Sequence, residues 1–598
     1  MRRAWFGALL LAALATLDPG VRPQDDLFAS VNAEWLRTTD IPPDRVSYGT
    51  FGDIADRTEA DLRVIVEDVV AGRARAAGAT RQQVAALYGS AIDEARIDAR
   101  GAAPLADELA RIDAIGSVSD VAAETGRLSS LGAGGPFDGG RVADPRSPGQ
   151  TIVRVLPGGT LLPDLRYYVD TAKPFAEARG AYQAYLQQIF TLTRRDAPRD
   201  AAREVVALEI EFANAQWRTD IPEQGPGRFT LRDLATTMPG WDWQAWASPQ
   251  GLDRVAALVL ERPAFFKDFA AFVPAVPLHV WRNWLVARYV TAAAPFLSAP
   301  FDMARYRFFG STLTGQAEPR ARWKRGVTMV STYLGDIVGR LYVERHLPDV
   351  TRTQARRLLD SVIDAFRTSL AEAPLAPAAK REALARLATM TRGVGAPAAW
   401  RDYSGLVLRR DDLFGNWMRA VAFESADVAR AAAGTPSRTW VRPPQTVNAY
   451  YAPATNEIVV PAALLQSPIF DADGDPARNY GALGALAGHE IAHAFGADEN
   501  AADAVGLAVA LRAYHASRKD APPPVVDGLT GDERFFLSWA RMWRVAERPE
   551  YTRSLAEGSY RAPRDRANSA ASSVEGFYLA FGVKAGDGMF RPADERLR

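Results

Sequence analysis

The sequence predicts a mainly α-helical protein with one small β element. Three observations carry that expectation. Apolar residues recur at three- and four-residue steps through most of residues 50–395, as in the stretches opening at Thr58, Pro198 and Val350. Two β-rich runs, 447–451 and 457–460, flank a short polar turn and read as a hairpin. Helical periodicity then resumes to near the end. With 598 residues, 48% hydrophobic and 24% charged, the chain has a globular composition and is long enough for more than one core.

Taken in order, residues 1–15 (MRRAWFGALLLAALA) read as an export signal. Arg2 and Arg3 give the positive start, Ala4 to Leu14 the apolar run, and Ala13-Leu14-Ala15 a small-x-small cleavage site. The alternative, a membrane anchor, needs roughly 20 apolar residues, and this run is shorter. The expected mature protein is exported, periplasmic or extracellular. Residues 22–395 form an N-terminal, mostly helical domain, interrupted by Gly/Pro breaks at 132–136 and 156–159. Residues 396–440 read as a connector of mixed structure, and 441–598 as the C-terminal domain.

Composition removes several chemistries. The chain has no cysteine, which excludes disulfides, thiolate metal sites and thiol nucleophiles. Lys+Arg and Asp+Glu are both 71, so there is no basic excess of the kind a nucleic-acid partner calls for. Any transition metal must be held by carboxylates and the five histidines.

Two of those histidines sit in LGALAGHEIAHAFG (483–496), as His489-Glu490-Ile491-Ala492-His493. On a helix, positions i and i+4 share a face, so both imidazoles can meet one ion. Glu490 lies about 100° round the helix, beside the ion, where a general base belongs. At this histidine content chance gives roughly 0.002 such motifs, which weighs against two ordinary core histidines. A catalytic zinc needs a third protein ligand, and Asp498, Glu499 and Asp503 are the nearest candidates. Gly496 can end the first helix in the left-handed conformation, and Asp498 can cap a second beginning ENAADAVGL. Glu499 and Asp503 then share a face. We assign Glu499 as third ligand and Asp503 as acceptor for the free ring N–H of a liganding histidine. The competing reading makes both of them first-turn acids facing the helix dipole. His279, His346 and His515 match no ligand spacing.

With these residues in place, the sequence resembles the neprilysin and endothelin-converting-enzyme family of zinc metallopeptidases, including its bacterial exported members. The likeness runs through VRPQDDLFASVNAEWLRTTDIPPDRVSYGTF (21–51), RWKRGVTMVSTYLGDIVGRLYVERHLP (322–348), Trp400 to Tyr403, the hairpin Asn448-Ala449-Tyr450-Tyr451, GHEIAHAFG (488–496), ENAADAVGL (499–507) and GDERFFLSWARMWR (531–544). The resemblance implies two helical lobes around a cavity admitting short peptides, with a thermolysin-like (gluzincin) catalytic domain. It implies His489, His493 and Glu499 as ligands of one zinc, Glu490 as base and Asp503 as the partner of a liganding histidine. Asn448 and Ala449 would pair with the substrate backbone as an added strand.

Three departures stand out. The family usually places several tens of residues between the second histidine and the third ligand; here Glu499 follows His493 by six. The family's oxyanion-stabilising histidine before a proline appears as Arg561, ahead of Pro563, and a guanidinium can also donate to an oxyanion. The following arginine, Arg566, sits one residue closer and is carried over as a clamp on the substrate's carboxylate or backbone. The expected function is zinc-dependent endopeptidase action on short peptides by Glu490-assisted attack of a zinc-bound water. The alternative is a catalytically impaired relative that binds peptides or serves as a scaffold.

Overall fold

Helices dominate the chain, as the periodicity predicts. The computed structural model describes residues 20–74, 78–143, 151–217, 225–432, 440–518, 524–555 and 561–597. The export segment expected at 1–15 lies outside them. Among the described residues no helix is long and apolar enough to cross a membrane.

The chain enters through α1 (Leu27–Thr38), β1 (Ser47–Gly49) and the long α2 (Thr50–Val70). Asp26 caps α1 by accepting from Ala29 N–H, satisfying one of the free donors of its first turn. From the second half of α2 onward, side chains build the first of two hydrophobic cores. Its centre is aromatic. Phe137 packs against Trp243, Phe266 and Phe269 with ring centroids 5.3, 5.1 and 4.9 Å apart. Helices α3 (Pro198–Trp217) and α4 (Leu278–Ala293) run through this core. Trp281, Trp284 and Tyr289 of α4 are fully buried. Glu209 of α3 is also fully buried, and accepts from Tyr168 Oη at 2.6 Å and Tyr182 Oη at 3.0 Å.

This lobe also holds a sheet that helical periodicity conceals. Strands β2 (Phe137–Ala143) and β3 (Thr151–Pro157) pair antiparallel, and β4 (Gly227–Phe229) and β5 (Leu258–Leu260) complete the order β2-β3-β5-β4. The Gly/Pro breaks at 132–136 and 156–159 are the ends of that hairpin.

The second core gathers Leu27, Ile54, the buried faces of α5 (Asp349–Glu372) and α6 (Pro377–Ala388), Val394 of β6 (Thr391–Gly395), and residues from Ala449 to Met589. It therefore takes in α5, α6 and β6, which the sequence division groups with the N-terminal domain. The reason is local: Leu359, Val362 and Ile363 give α5 one apolar stripe, and the helices that cover it come later in the chain. The predicted hairpin forms as β7 (Tyr450–Ala452) and β8 (Glu457–Pro461), with Asn456 left-handed in its turn. Strand β6 adds a parallel third strand, giving the order β6-β8-β7 with β7 at the edge.

Helices α7 (Ala485–His493), α8 (Glu499–Ser517), α9 (Gly531–Met542) and α10 (Pro563–Ser572) complete the second lobe, and β9 (Val545–Glu547) pairs with β1. Helix α5 packs against both α7 and α8, and α10 packs against α8.

Candidate metal centre

The site grows from the joint between α7 and α8. Gly496 has φ +80°, and its N–H reaches His493 O at 3.1 Å while Ala497 N–H reaches Ala492 O at 3.3 Å. That pair of bonds is the Schellman ending of a helix, and it needs a residue without Cβ strain at Gly496. Two residues on, Asp498 accepts from Asn500 and Ala501 N–H at 3.0 and 2.8 Å and starts α8. Six residues thus reverse the chain and bring the first turn of α8 against α7.

The helices cross where neither has a side chain. A Cβ on Gly506 would stand 2.4 Å from His489 N, and one on Gly488 2.7 Å from Gly506 O. Only glycine permits this approach, and it sets the His489 backbone directly against α8.

The predicted ligands converge there. His489 Nε2 and His493 Nε2 lie 3.0 Å apart with their rings at 88°. The Glu499 carboxylate is 3.6 Å from each. The three donor atoms all fall within 4.8 Å of one another. Four ligands at the usual zinc bond lengths of about 2.0–2.1 Å stand roughly 3.3–3.4 Å apart, so two imidazoles and a carboxylate at these separations suit zinc. Each histidine is also held from behind. His493 Nδ1 meets Ala497 O at 3.0 Å, which turns Nε2 toward the centre. His489 Nδ1 lies 2.8 Å from Asp503 Oδ1, a polar contact that departs from the linear direction of a ring N–H bond.

Asp503, 2% exposed, is the hub of the outer arrangement. Arg566 of α10 forks onto it, with Nε at 2.7 Å from Oδ2 and Nη2 at 2.8 Å from Oδ1, and reaches Glu499 Oε2 at 3.3 Å. The guanidinium also lies 4.0 Å from the centre of the Trp543 ring. Burial by itself would raise the Asp503 carboxyl, but His489 and the Arg566 fork hold it below the usual carboxylate range. The structure therefore sets Arg566 on the site's own acids, where the sequence suggested a clamp on substrate.

Glu490 lies beside the three donors and is 9% exposed. Burial raises its carboxyl above the ordinary glutamate value, against the opposing pull of both imidazoles. Its Oε2 accepts from the backbone N–H of Tyr451 on the edge strand β7 at 3.0 Å. Tyr451 N–H points away from β8, so the free edge of β7 faces α7. Ala449 is buried, and Asn448, just ahead of it, is exposed. Sequence reasoning missed the Tyr451–Glu490 bond and the Gly488–Gly506 crossing. The lone glycines in Ala-rich helical stretches were the available signal for the second. Arg561 is exposed two residues before α10, and among the described residues it makes no hydrogen bond or ion pair.

Comparison with known proteins identifies the family. Two sequence models of peptidase family M13 match, one over residues 23–397 and the other over 448–499 and 496–597. The second match breaks at the turn joining His493 to Glu499. Endothelin-converting enzyme-like 1 of Mus musculus is 25% identical over 511 residues, 80% of this chain and 65% of the relative; the chain thus spans about two-thirds of that protein's length. Neutral endopeptidase of Lactococcus lactis subsp. cremoris is 23% identical over 632 residues, 96% of this chain and 99% of the relative. Among solved structures, the inhibitor complex of Mycobacterium tuberculosis zinc metalloprotease Zmp1 superposes with a TM-score of 0.89 at 34% identity, covering 98% of both chains. PepO from Lactobacillus rhamnosis HN001 superposes with a TM-score of 0.82 at 22% identity, covering 96% of this chain and 99% of PepO. Matched by family models through most of its length, the chain belongs to peptidase family M13.

Proposed function

We propose that the chain is a zinc-dependent metalloendopeptidase that hydrolyses short peptides. The observation that carries this reading is the convergence of His489 Nε2, His493 Nε2 and the Glu499 carboxylate beside the buried carboxyl of Glu490. Zinc held by those three residues would lower the pKa of a water toward neutrality and polarise a carbonyl oxygen. Glu490 accepts the proton of the attacking water and returns it to the leaving amine, a task suited to a carboxyl that burial raises above the ordinary glutamate value. Asp503 orients His489 and is itself held by Arg566. The segment leading into edge strand β7, Asn448 and Ala449, takes the peptide backbone as an added strand. The fork of Arg566 onto Asp503 and Glu499 uses Nε and Nη2, which leaves Nη1 for a substrate carbonyl, and Arg561 supplies charge for the developing oxyanion. The signal-like start supports action outside the cytoplasm.

A second reading, an impaired relative that binds peptides without turning them over, draws on Arg561 standing exposed where the family has a histidine. Incubation with a mixed peptide library separates the two. The peptidase reading expects cleavage that a chelator abolishes and added zinc restores; cleavage that persists in chelator overturns it, and zinc-loaded protein that binds but cleaves nothing favours the second reading.

A further inference from the structure

The five-residue turn between His493 and Glu499 has little with which to hold itself. Its residues are Ala494, Phe495, Gly496, Ala497 and Asp498, and only Asp498 carries a polar side chain, which is spent on capping α8. The turn nevertheless supports two of the three proposed ligands. Ala497 O fixes the His493 ring, and the direction of the turn places Glu499.

Two braces reach it from outside, both from the α5–α6 hairpin. Phe366 of α5 stacks on Phe495 with centroids 5.3 Å apart and planes at 22°. Arg386, in the last turn of α6, donates from Nη1 to Ala494 O at 2.5 Å. The turn's own Schellman bonds use the carbonyls of Ala492 and His493, so the Ala494 carbonyl is the one left for an external donor. A guanidinium at that end of α7 also meets the negative pole of the helix.

Arg386 is tied to the other flank of the site as well. Its backbone carbonyl accepts from Asn456 Nδ2 at 2.9 Å, and Asn456 Oδ1 accepts from Tyr451 Oη at 3.0 Å. Tyr451 N–H is the group bonded to Glu490. A single residue therefore joins the turn behind the ligands to the strand in front of the proposed base.

We propose that Arg386 is a positioning residue of the metal centre, holding the shortened α7–α8 turn so that His493 and Glu499 face one ion. The proposal rests on the zinc reading given above and names the device that lets so short a turn serve it. Arg386 is exposed, so its share of global stability is small, and its effect falls on the turn.

The test uses the full chain and reads zinc affinity by competition with a chromogenic chelator, with no peptide present. Arg386→Ala is expected to weaken zinc binding about 10-fold, the lower end for outer partners of metal ligands. The apo melting temperature should stay within about 2 °C of wild type. Arg386→Lys, which keeps a charged donor, should recover part of the loss, and the visible spectrum of the cobalt-loaded protein should change in the alanine variant and return toward wild type in the lysine variant. If alanine does not fold, Arg386→Gln reads the same quantity. Unchanged zinc affinity in the folded alanine or glutamine variant overturns the proposal. So does a loss that follows a large fall in apo stability and is not recovered by lysine, which marks a merely structural residue. A wild-type protein that binds no zinc overturns the reading of the site itself, and this proposal with it.

Discussion

Gly488 and Gly506 lie back to back where α7 crosses α8, close enough that a Cβ on either would meet backbone of the opposite helix at 2.4–2.7 Å. The crossing puts His489 within ion-pair distance of Asp503. Gly506→Ala should therefore drive the helices apart, costing about 1–3 kcal/mol by overpacking and loosening the Asp503 contact that orients His489. Urea denaturation together with zinc content of the purified variant checks it. Wild-type stability with full zinc would show that the close approach is dispensable.

Asp503 should govern both metal affinity and behaviour in acid. Asp503→Asn is expected to weaken zinc binding about 10- to 100-fold, because His489 loses the carboxylate that orients it. The folded carboxyl is held below its ordinary value, so its stabilising contribution is present above the unfolded pKa of about 3.9 and is lost as pH falls through the folded value. The apo wild type should thus lose stability in the most acidic range more steeply than Asp503→Asn. Acid titrations of equal slope for the two proteins would contradict this.

Glu209 carries the opposite sign. Sealed in the first core and bonded by two tyrosines, its carboxyl is pushed by burial up to about 7. A raised folded pKa gives stability that is fully present below the unfolded value of about 4.3 and disappears as pH rises through about 7. Unfolding of the first lobe should be easier at pH 8 than at pH 5, by up to about 3 kcal/mol. Glu209→Gln should flatten that dependence, and a pH profile unaltered by the substitution would count against the buried carboxyl as its source.

Arg561 offers a test of rate without a test of metal. If it donates to the developing oxyanion, Arg561→Ala should lower kcat about 10²-fold while zinc content and melting temperature stay put. Unchanged kcat would remove Arg561 from the reaction and leave the charge to other groups.

How far the sequence could be read depended on how local each feature is. The turn at Gly496 and the cap at Asp498 are stated by neighbouring residues, and both stand in the structure as expected. The sharing of a face by Glu499 and Asp503 follows from helical pitch alone. Strands β2 and β3 went unread because their glycines and mixed residues show no clean alternation, whereas the Val459-Val460 run of β8 does stand out. Strand β6 pairs parallel with a partner more than sixty residues downstream, and nothing in Thr391 to Gly395 names it. The same limit applies to α5: its stripe says that it is covered, and only the fold says that α7 and α8 cover it. Arg386 belongs to this class, an ordinary surface residue in sequence whose partner carbonyl lies over a hundred positions away.

Glu490→Gln separates the two halves of the proposed site, the proton carried by Glu490 and the metal held by His489, His493 and Glu499. Glutamine can still accept from Tyr451 N–H but cannot take a proton from water. Purified Glu490→Gln should retain about one zinc per chain and lose peptide turnover by roughly 10³-fold or more. Zinc-loaded Glu490→Gln that cleaves peptides within about tenfold of the wild-type rate would contradict it.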